Sequence, residues 1–212
     1  MHAKRLQRWA FLTVGMLLVL GSAGCIFSPD DDPQPPPPTP PPSYIFPDTE
    51  AKLLANFRES YSKLDIDEYR NILHTNYRFF FQDHDITTLG LLSDHYNRDD
   101  ELDATTNMFS GEPKPNPGAI PPEPDPIPAI SNIEFSLLDP VGTWGPSFHP
   151  DFPNARRALY TIELSITRPG AKTIVISGRQ EFYVISRDSV MTDGSTKDYF
   201  QLLGQVDMSV TK

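Results

Sequence analysis

Residues 54–79 read LANFRESYSKLDIDEYRNILHTNYRF and contain the patterns of two helices and the start of a strand. Apolar residues first recur at spacings of three and four, which predicts an amphipathic helix that begins after a cap at Asp48. The members of its apolar face are Leu54, Phe57, Tyr61 and Leu64. Asp65 and Glu68 have the spacing of a capping box, so a second, short helix should begin there. Residues 77–81, YRFFF, are aromatic enough to predict a strand.

Downstream of that strand the sequence predicts one more helix and then a run of strands. Residues 86–109 have helical spacing, with inward candidates at Leu89, Leu92, Tyr96, Leu102 and Phe109. Four later segments alternate apolar and polar residues, at 133–137, 158–166, 174–185 and 200–210. The last three are long and joined by tight turns, which predicts an antiparallel meander with Phe182 buried under the first helix. We therefore expect an α+β fold, with an antiparallel sheet of about four to six strands packed on three N-terminal helices.

The opening of the folded part carries a family resemblance. The segments that carry it are Leu54-x-x-Phe57-x-x-x-Tyr61, Leu64-Asp65-x-Asp67-x-Tyr69 and Leu73-His74-x-x-Tyr77-x-Phe79. Together they resemble the NTF2-like superfamily, which includes SnoaL-like and ketosteroid-isomerase-like proteins, over about 46–110 and 130–212. The resemblance implies a curved sheet that encloses a cone with the helices, in which some members act as isomerases, dehydratases or cyclases. The catalytic positions of the family vary, so the resemblance assigns no catalytic residue in this chain.

The first 27 residues have the layout of a secretory signal. Three cations and no acid precede an apolar run from Trp9 to Leu20, and small residues follow it. Ser22-Ala23-Gly24-Cys25 resembles the lipobox of bacterial lipoproteins, which implies cleavage after residue 24 and a lipid, with fatty acyl chains such as palmitate, on Cys25. One alternative is an uncleaved anchor, because the uncharged run from Trp9 to Phe27 is just long enough to span a bilayer, and the other is a secreted form without the lipid.

Proline marks two segments that should not belong to a core. Residues 33–42 contain eight prolines in ten and predict an extended polyproline stalk, with a docking site for SH3- or WW-like domains as the alternative. The second stretch, Pro113 to Pro128, predicts a long loop at 111–128. The expected organisation is a signal peptide at 1–24, the lipidated Cys25 and a linker over 25–45, and the NTF2-like domain at 46–212.

Four residues are candidates for a polar site within the domain: Gln180, Arg78, Tyr77 and His74. Gln180 is in phase with Phe182, and a buried amide needs partners, so it indicates either a hydrogen-bonded network or a pocket. Arg78 is out of phase with Tyr77 and either lines the cone or faces solvent. His74 is interpreted mainly as a cap on the last carbonyls of the second helix.

The other titratable residues predict no chemistry. Asp83-His84-Asp85 should alternate along an extended chain, so the three cannot converge on one ion, and we expect a solvated turn. Ordinary charged surface is expected at Arg187-Asp188, Asp99-Asp100-Glu101 and Asp103. With one Cys, no His pair, no glycine-rich phosphate loop and no Gly-x-Ser-x-Gly elbow, the sequence predicts no metal, no cofactor and no catalytic residue.

The net charge and the export signal limit the functions that the protein can have. The chain has 28 Asp and Glu against 18 Lys and Arg, a net charge of −10 that excludes nucleic-acid binding through phosphate contacts. We expect a membrane-anchored lipoprotein with a non-catalytic domain that binds a small ligand or a cell-envelope partner. The alternatives are an enzyme with an acid/base residue in the cone and a structural component of an envelope or secretion assembly, with dimerisation left open. Lipoproteins that this N-terminus resembles are retained at the inner membrane mainly when Asp follows the lipidated Cys. Ile26 occupies that position here, so we expect the outer membrane if the source has two membranes.

Overall fold

The computed structural model describes residues 44–89, 91–116, 126–191 and 193–209. The predicted signal peptide, Cys25 and the proline-rich stalk lie outside these residues. Where the described chain begins, the Tyr44 hydroxyl donates to Asp65 Oδ2 (2.9 Å), and the Ile45 N–H donates to Asn56 Oδ1 (3.1 Å). Both residues, which belong to the predicted linker, therefore contact the domain that follows.

Four helices are described: α1 (Glu50–Lys63), α2 (Ile66–Ile72), α3 (Asp83–Leu89) and α4 (Arg98–Phe109). Asp65 caps α2 by accepting two backbone N–H groups of its first turn, as predicted. The cap of α1 is Thr49 rather than Asp48, whose carboxylate instead forms ion pairs with Lys52 and Lys197. None of the described helices is both long enough and apolar enough to cross a bilayer.

The predicted helix over 86–109 is two helices with a strand between them. β2 (His95–Asn97) pairs with β1 (Leu73–Phe80), and Asn97 then caps α4 in a capping box. Leu92, expected to face inward, lies in the connection before β2 and is exposed. Because α3 and α4 follow β1, only α1 and α2 are N-terminal, and the expectation of three N-terminal helices is wrong.

The strands form one mixed sheet of seven, more than the four to six expected. The further strands are β3 (Asn132–Pro140), β4 (Gly145–Pro146), β5 (Arg156–Thr167), β6 (Ile174–Val190) and β7 (Thr196–Asp207). Hydrogen-bonded neighbours run in the order β2-β1-β7-β6-β5-β3, and β4 pairs with β5. The antiparallel meander of β5, β6 and β7 is confirmed, but β1 pairs with β7 in parallel. β2 and β4 were not predicted, because strands of three and two residues are too short to show an alternating pattern.

The main core lies between the helices and one face of the sheet. Phe182 is fully buried there, with its ring 5.7 Å from that of Phe57 on α1 and 5.3 Å from that of Tyr160 on β5. The predicted burial of Phe182 under α1 is therefore confirmed. Ile174 and Ile176 share the alternation of the predicted segment 174–185 with Phe182 but are exposed, because β6 runs beyond the end of its pairing with β7 there.

A second, smaller core lies on the opposite, outer face of the sheet. Tyr183 directly follows a main-core residue along β6 and so points to this face. Leu203 and Gly204 of β7 both reach it as well, because β7 carries one extra residue at this point, a β-bulge. The fully buried ring of Phe152 lies directly over Gly204. The outer face therefore has an ordered apolar base of its own.

Candidate functional site

An open cleft lies on the outer face, where β1, the start of α4 and residues 151–153 meet. We call it the outer cleft, and its volume is about 650 Å³. Ile185 and Leu203, from the second core and its edge, supply apolar surface. Its polar lining includes His74, Thr75, Arg78, Arg98, Asp99 and Asp151. The cleft brings together three of the four candidate residues from the sequence, since Tyr77 also borders it.

His74 is the second residue of β1 and is buried, so its interpretation as a helix cap is wrong. Its Nδ1 accepts the backbone N–H of Asn76 at 3.1 Å, and its Nε2 lies 3.1 Å from Nη1 of Arg187. Burial lowers the pKa of His74, and the charges of Arg187 and Arg98 lower it further. The ring is therefore neutral at neutral pH.

Arg98 begins α4 and reaches across to α2. Its Nη2 donates to the backbone carbonyl of Arg70 at 3.0 Å. Its Nε is buried and has no hydrogen-bond partner among the described residues. A buried donor without an acceptor costs about 1–3 kcal/mol, so this atom stands out in the lining of the cleft.

The guanidinium groups around the outer cleft differ in their partners. Arg78 points to the outer face, out of phase with Tyr77, and donates to Asp151 Oδ1 at 2.5 Å. In the part of the chain that the structure describes, neither Arg98 nor Arg187 has a carboxylate within salt-bridge distance. The lining of the cleft therefore contains one neutralised arginine, Arg78, and one that no described carboxylate neutralises, Arg98, while Arg187 lies outside the lining and contacts it through His74.

The helix-covered face contains a buried acid that the sequence analysis placed on the surface. Glu101 is buried, and its Oε1 accepts hydrogen bonds from the Tyr69 hydroxyl (2.6 Å) and the Thr105 hydroxyl (3.2 Å). Burial raises the pKa of the Glu101 carboxyl. The signal was present in the sequence, because Glu101, Thr105 and Phe109 recur every four residues along one face of α4.

A line of hydrogen bonds crosses the same face of the sheet. The Tyr77 hydroxyl donates to Gln205 Oε1 at 2.5 Å, and Gln205 Nε2 donates to Gln180 Oε1 at 3.0 Å. Gln180 is half-buried and is not among the residues that line the outer cleft. The structure thus places Gln180 in a hydrogen-bonded network, whose central member, Gln205, the sequence analysis did not identify.

Aromatic rings occupy the space between the helices and the sheet. Six rings form successive contacts there, with centroids 5.0–6.3 Å apart: Phe57, Tyr61, Tyr69, Phe109, Phe135 and Phe182. The four clefts described around the domain, of about 310 to 700 Å³, are lined by neither Glu101 nor Phe182. None of these four clefts therefore gives a ligand access to the buried carboxylate.

The remaining acidic and histidine residues form no metal site within the described ranges. No group of three His, Cys, Asp or Glu side chains suited to a metal ion occurs there. Asp83, His84 and Asp85, expected in a solvated turn, form the first turn of α3, and the first two are exposed. The outer cleft is therefore the candidate site.

Comparison with known proteins yields matches only among solved structures, since no protein-family model and no curated protein matches. An NTF2-like protein of unknown function in nutrient uptake from Rhodospirillum rubrum is 10% identical, covering 76% of this chain and 98% of that one, with a TM-score of 0.40. An NTF2-like protein of unknown function from Exiguobacterium is 8% identical over 76% and 99%, with a TM-score of 0.39. A protein assigned as a SnoaL-like polyketide cyclase from Shewanella denitrificans is 10% identical over 76% and 89%, with a TM-score of 0.37. At such identities and TM-scores, these likenesses carry no weight for function.

Proposed function

We propose that this protein is an exported lipoprotein, anchored through Cys25, whose non-catalytic NTF2-like domain binds a small ligand in the outer cleft. The observation that carries the binding proposal is the difference between the two faces of the sheet. Aromatic rings fill the helix-covered face, whereas the outer face opens into a cleft of about 650 Å³. Small-molecule sites are typically concave and apolar with a few placed polar groups, and the outer cleft has both components.

The anchoring proposal depends on the N-terminal sequence. The short apolar run, the small residues after it and the only thiol of the chain occur in the order that lipidation requires. Removal of residues 1–24 takes away three cations and changes the net charge from −10 to −13. A domain this acidic gains nothing from an anionic membrane, so the lipid has to hold it there. Because Ile26 follows Cys25, we place the protein in the outer membrane of a source with two membranes.

An enzyme remains the second candidate function because of Glu101. A buried carboxyl with a raised pKa beside the Tyr69 hydroxyl has the properties of a general acid/base. Both hydrogen bonds to Glu101 come from within the main core, however, and no described cleft reaches it. Catalysis there would require the aromatic rings to move apart.

The anchor is tested by labelling cells with an alkyne analogue of palmitate. The wild-type protein should be labelled and should fractionate with membranes, and Cys25→Ser should lose the label, because the chain has no other thiol. Intact mass spectrometry of the membrane-extracted protein provides the second readout. An unmodified Cys25 or a retained Met1 would overturn the proposal.

The binding function is tested by ligand-observed NMR on the full chain purified in detergent. The probes are small fragments, half of them carrying a carboxylate or phosphate and half uncharged. Thr75→Trp, at an exposed position of the cleft lining, should abolish the hits, and Thr196→Trp, an exposed strand threonine outside the four described clefts, should preserve them. An absence of hits, or hits unaffected by Thr75→Trp, would refute binding in the outer cleft. Hits lost specifically in Glu101→Gln would favour the enzyme.

A further inference from the structure

We infer that the outer cleft binds its ligand through an oxyanion, a carboxylate or a phosphate group, held between Arg98 and the His74–Arg187 pair. This inference rests on the proposed function and names the chemical class of the ligand. The apolar surface of Ile185 and Leu203 would then receive the rest of the molecule. Three observations on hydrogen-bond donors and charge carry it.

The first observation is the environment of the His74 ring. Both ring nitrogens face donors: the Asn76 N–H at Nδ1 and the Arg187 guanidinium at Nε2. A neutral imidazole has one acceptor nitrogen and one N–H, so either tautomer leaves one of these contacts donor-to-donor. When Nδ1 accepts from Asn76, the Nε2–H and the Arg187 Nη1–H lie side by side and both need an acceptor. One oxyanion oxygen between them would satisfy both.

The second observation is the free donor on Arg98. The backbone carbonyl of Arg70 already fixes Nη2 of this guanidinium, and the buried Nε has no described partner, so an oxyanion oxygen reaches it once the side chains that cover it move aside. A positioned guanidinium with a free N–H is the group that proteins use most for carboxylate and phosphate recognition. Arg98 and His74 line the same cleft, so these donors belong to one region.

The third observation is the charge balance. In a chain with a net charge of −10, Arg98 in the lining and Arg187, which contacts the lining residue His74, have no carboxylate partner among the described residues. Asp151 forms an ion pair with Arg78, and Asp99 is the other carboxylate of the lining. An anion on the side of His74 and Arg187 would supply the negative charge that the described residues there lack.

The test extends the fragment experiment to affinities measured by titration. The hits should be the carboxylate and phosphate fragments, and comparison of the two groups shows which oxyanion binds. Arg98→Gln and Arg187→Gln should each weaken binding about tenfold, the loss expected for one charge-assisted hydrogen bond. Arg187 is exposed, so its substitution keeps the test valid if Arg98→Gln fails to fold. Arg179→Gln changes the net charge equally at an exposed position outside the lining and should have little effect.

The experiment distinguishes oxyanion recognition from the proposed binding of a small ligand in the outer cleft. If only uncharged fragments bind and Thr75→Trp abolishes them, the cleft binds ligands and the oxyanion inference is overturned. If Arg179→Gln weakens anion binding as much as Arg98→Gln does, the attraction is diffuse and the inference is also overturned. If no fragment binds, both the ligand-binding function and the oxyanion inference are refuted.

Discussion

Replacement of Gly204 by alanine should destabilise the domain through a single close approach. A Cβ at this position would lie inside van der Waals contact of the Phe152 ring. That ring cannot easily retreat, because it is fully buried with Tyr183 4.4 Å, His149 4.8 Å and Phe80 5.7 Å from it, centroid to centroid. Overpacking of this kind costs about 1–3 kcal/mol, and the smaller conformational entropy of an unfolded chain with alanine offsets about 0.4–1 kcal/mol of it.

Because the ring cannot easily retreat, the cost should lie in the upper half of that range, and the resulting net loss of about 1–2.5 kcal/mol corresponds to a fall in melting temperature of about 2–10 °C for a domain of this size. Differential scanning fluorimetry and urea unfolding measure both quantities. Gly145→Ala is the matched control, because no atom lies within 4 Å of the Cβ it would add. In a Phe152→Leu background the smaller side chain should leave room, so Gly204→Ala should become neutral or stabilising. The reasoning is refuted if Gly204→Ala costs nothing, or if it costs the same with Leu at 152.

Two further predictions concern the helix-covered face. Phe182→Ala should cost about 3–5 kcal/mol as a large-to-small change in the core, because the ring is fully buried against Phe57 and Tyr160; a loss below about 1 kcal/mol in urea unfolding would contradict the packing described. Glu101→Gln should change how stability depends on pH. Since burial raises the folded-state pKa of Glu101 above its unfolded value, stability is fully present below the unfolded pKa and is lost as pH rises through the folded pKa. The variant keeps an acceptor for the Tyr69 hydroxyl and should lack this pH-dependent loss of stability. The difference in free energy of unfolding between the variant and wild type should therefore rise with pH in urea unfolding curves. A difference that stays constant with pH would show that the pKa of Glu101 is the same in the folded and unfolded states.

The parts of the fold that sequence predicted are those with a local pattern. Strands of twelve and seventeen residues alternate long enough to define which face is buried, and the position of Phe182 followed from that alternation. The parallel pairing of β1 with β7 joins two distant segments and has no local signature. Glu101 was misjudged for a related reason. Its acidic neighbours suggested surface, and the shorter of the two hydrogen bonds that make its burial acceptable comes from Tyr69, thirty-two positions away.

The outer cleft was even harder to predict from sequence, because its residues come together only in the tertiary structure. His74 and Arg78 lie within one strand, and the sequence named both as candidates, although His74 was interpreted mainly as a helix cap. Their partners Arg187 and Asp151 come from segments that no spacing rule connects with β1. The free donor of Arg98 is visible only once the path of α4 is known. Sequence could therefore propose three residues of the cleft, His74, Tyr77 and Arg78, but not their partners or the charge arrangement that gives the cleft a chemical preference.

The β-bulge of β7 links the second core to the outer cleft. It turns both Leu203 and Gly204 to the outer face, and Leu203 lines the cleft while Gly204 accommodates the Phe152 ring. The residues on either side of that ring, Asp151 and Pro153, also line the cleft. A displaced ring would move them, and with them the partner of Arg78, so the close approach at Gly204 sets the shape of the cleft as well as the stability of the domain. Gly204→Ala should therefore lose ligand affinity together with stability, whereas Phe182→Ala, on the opposite face of the sheet, should lose stability and keep the affinity of its folded fraction.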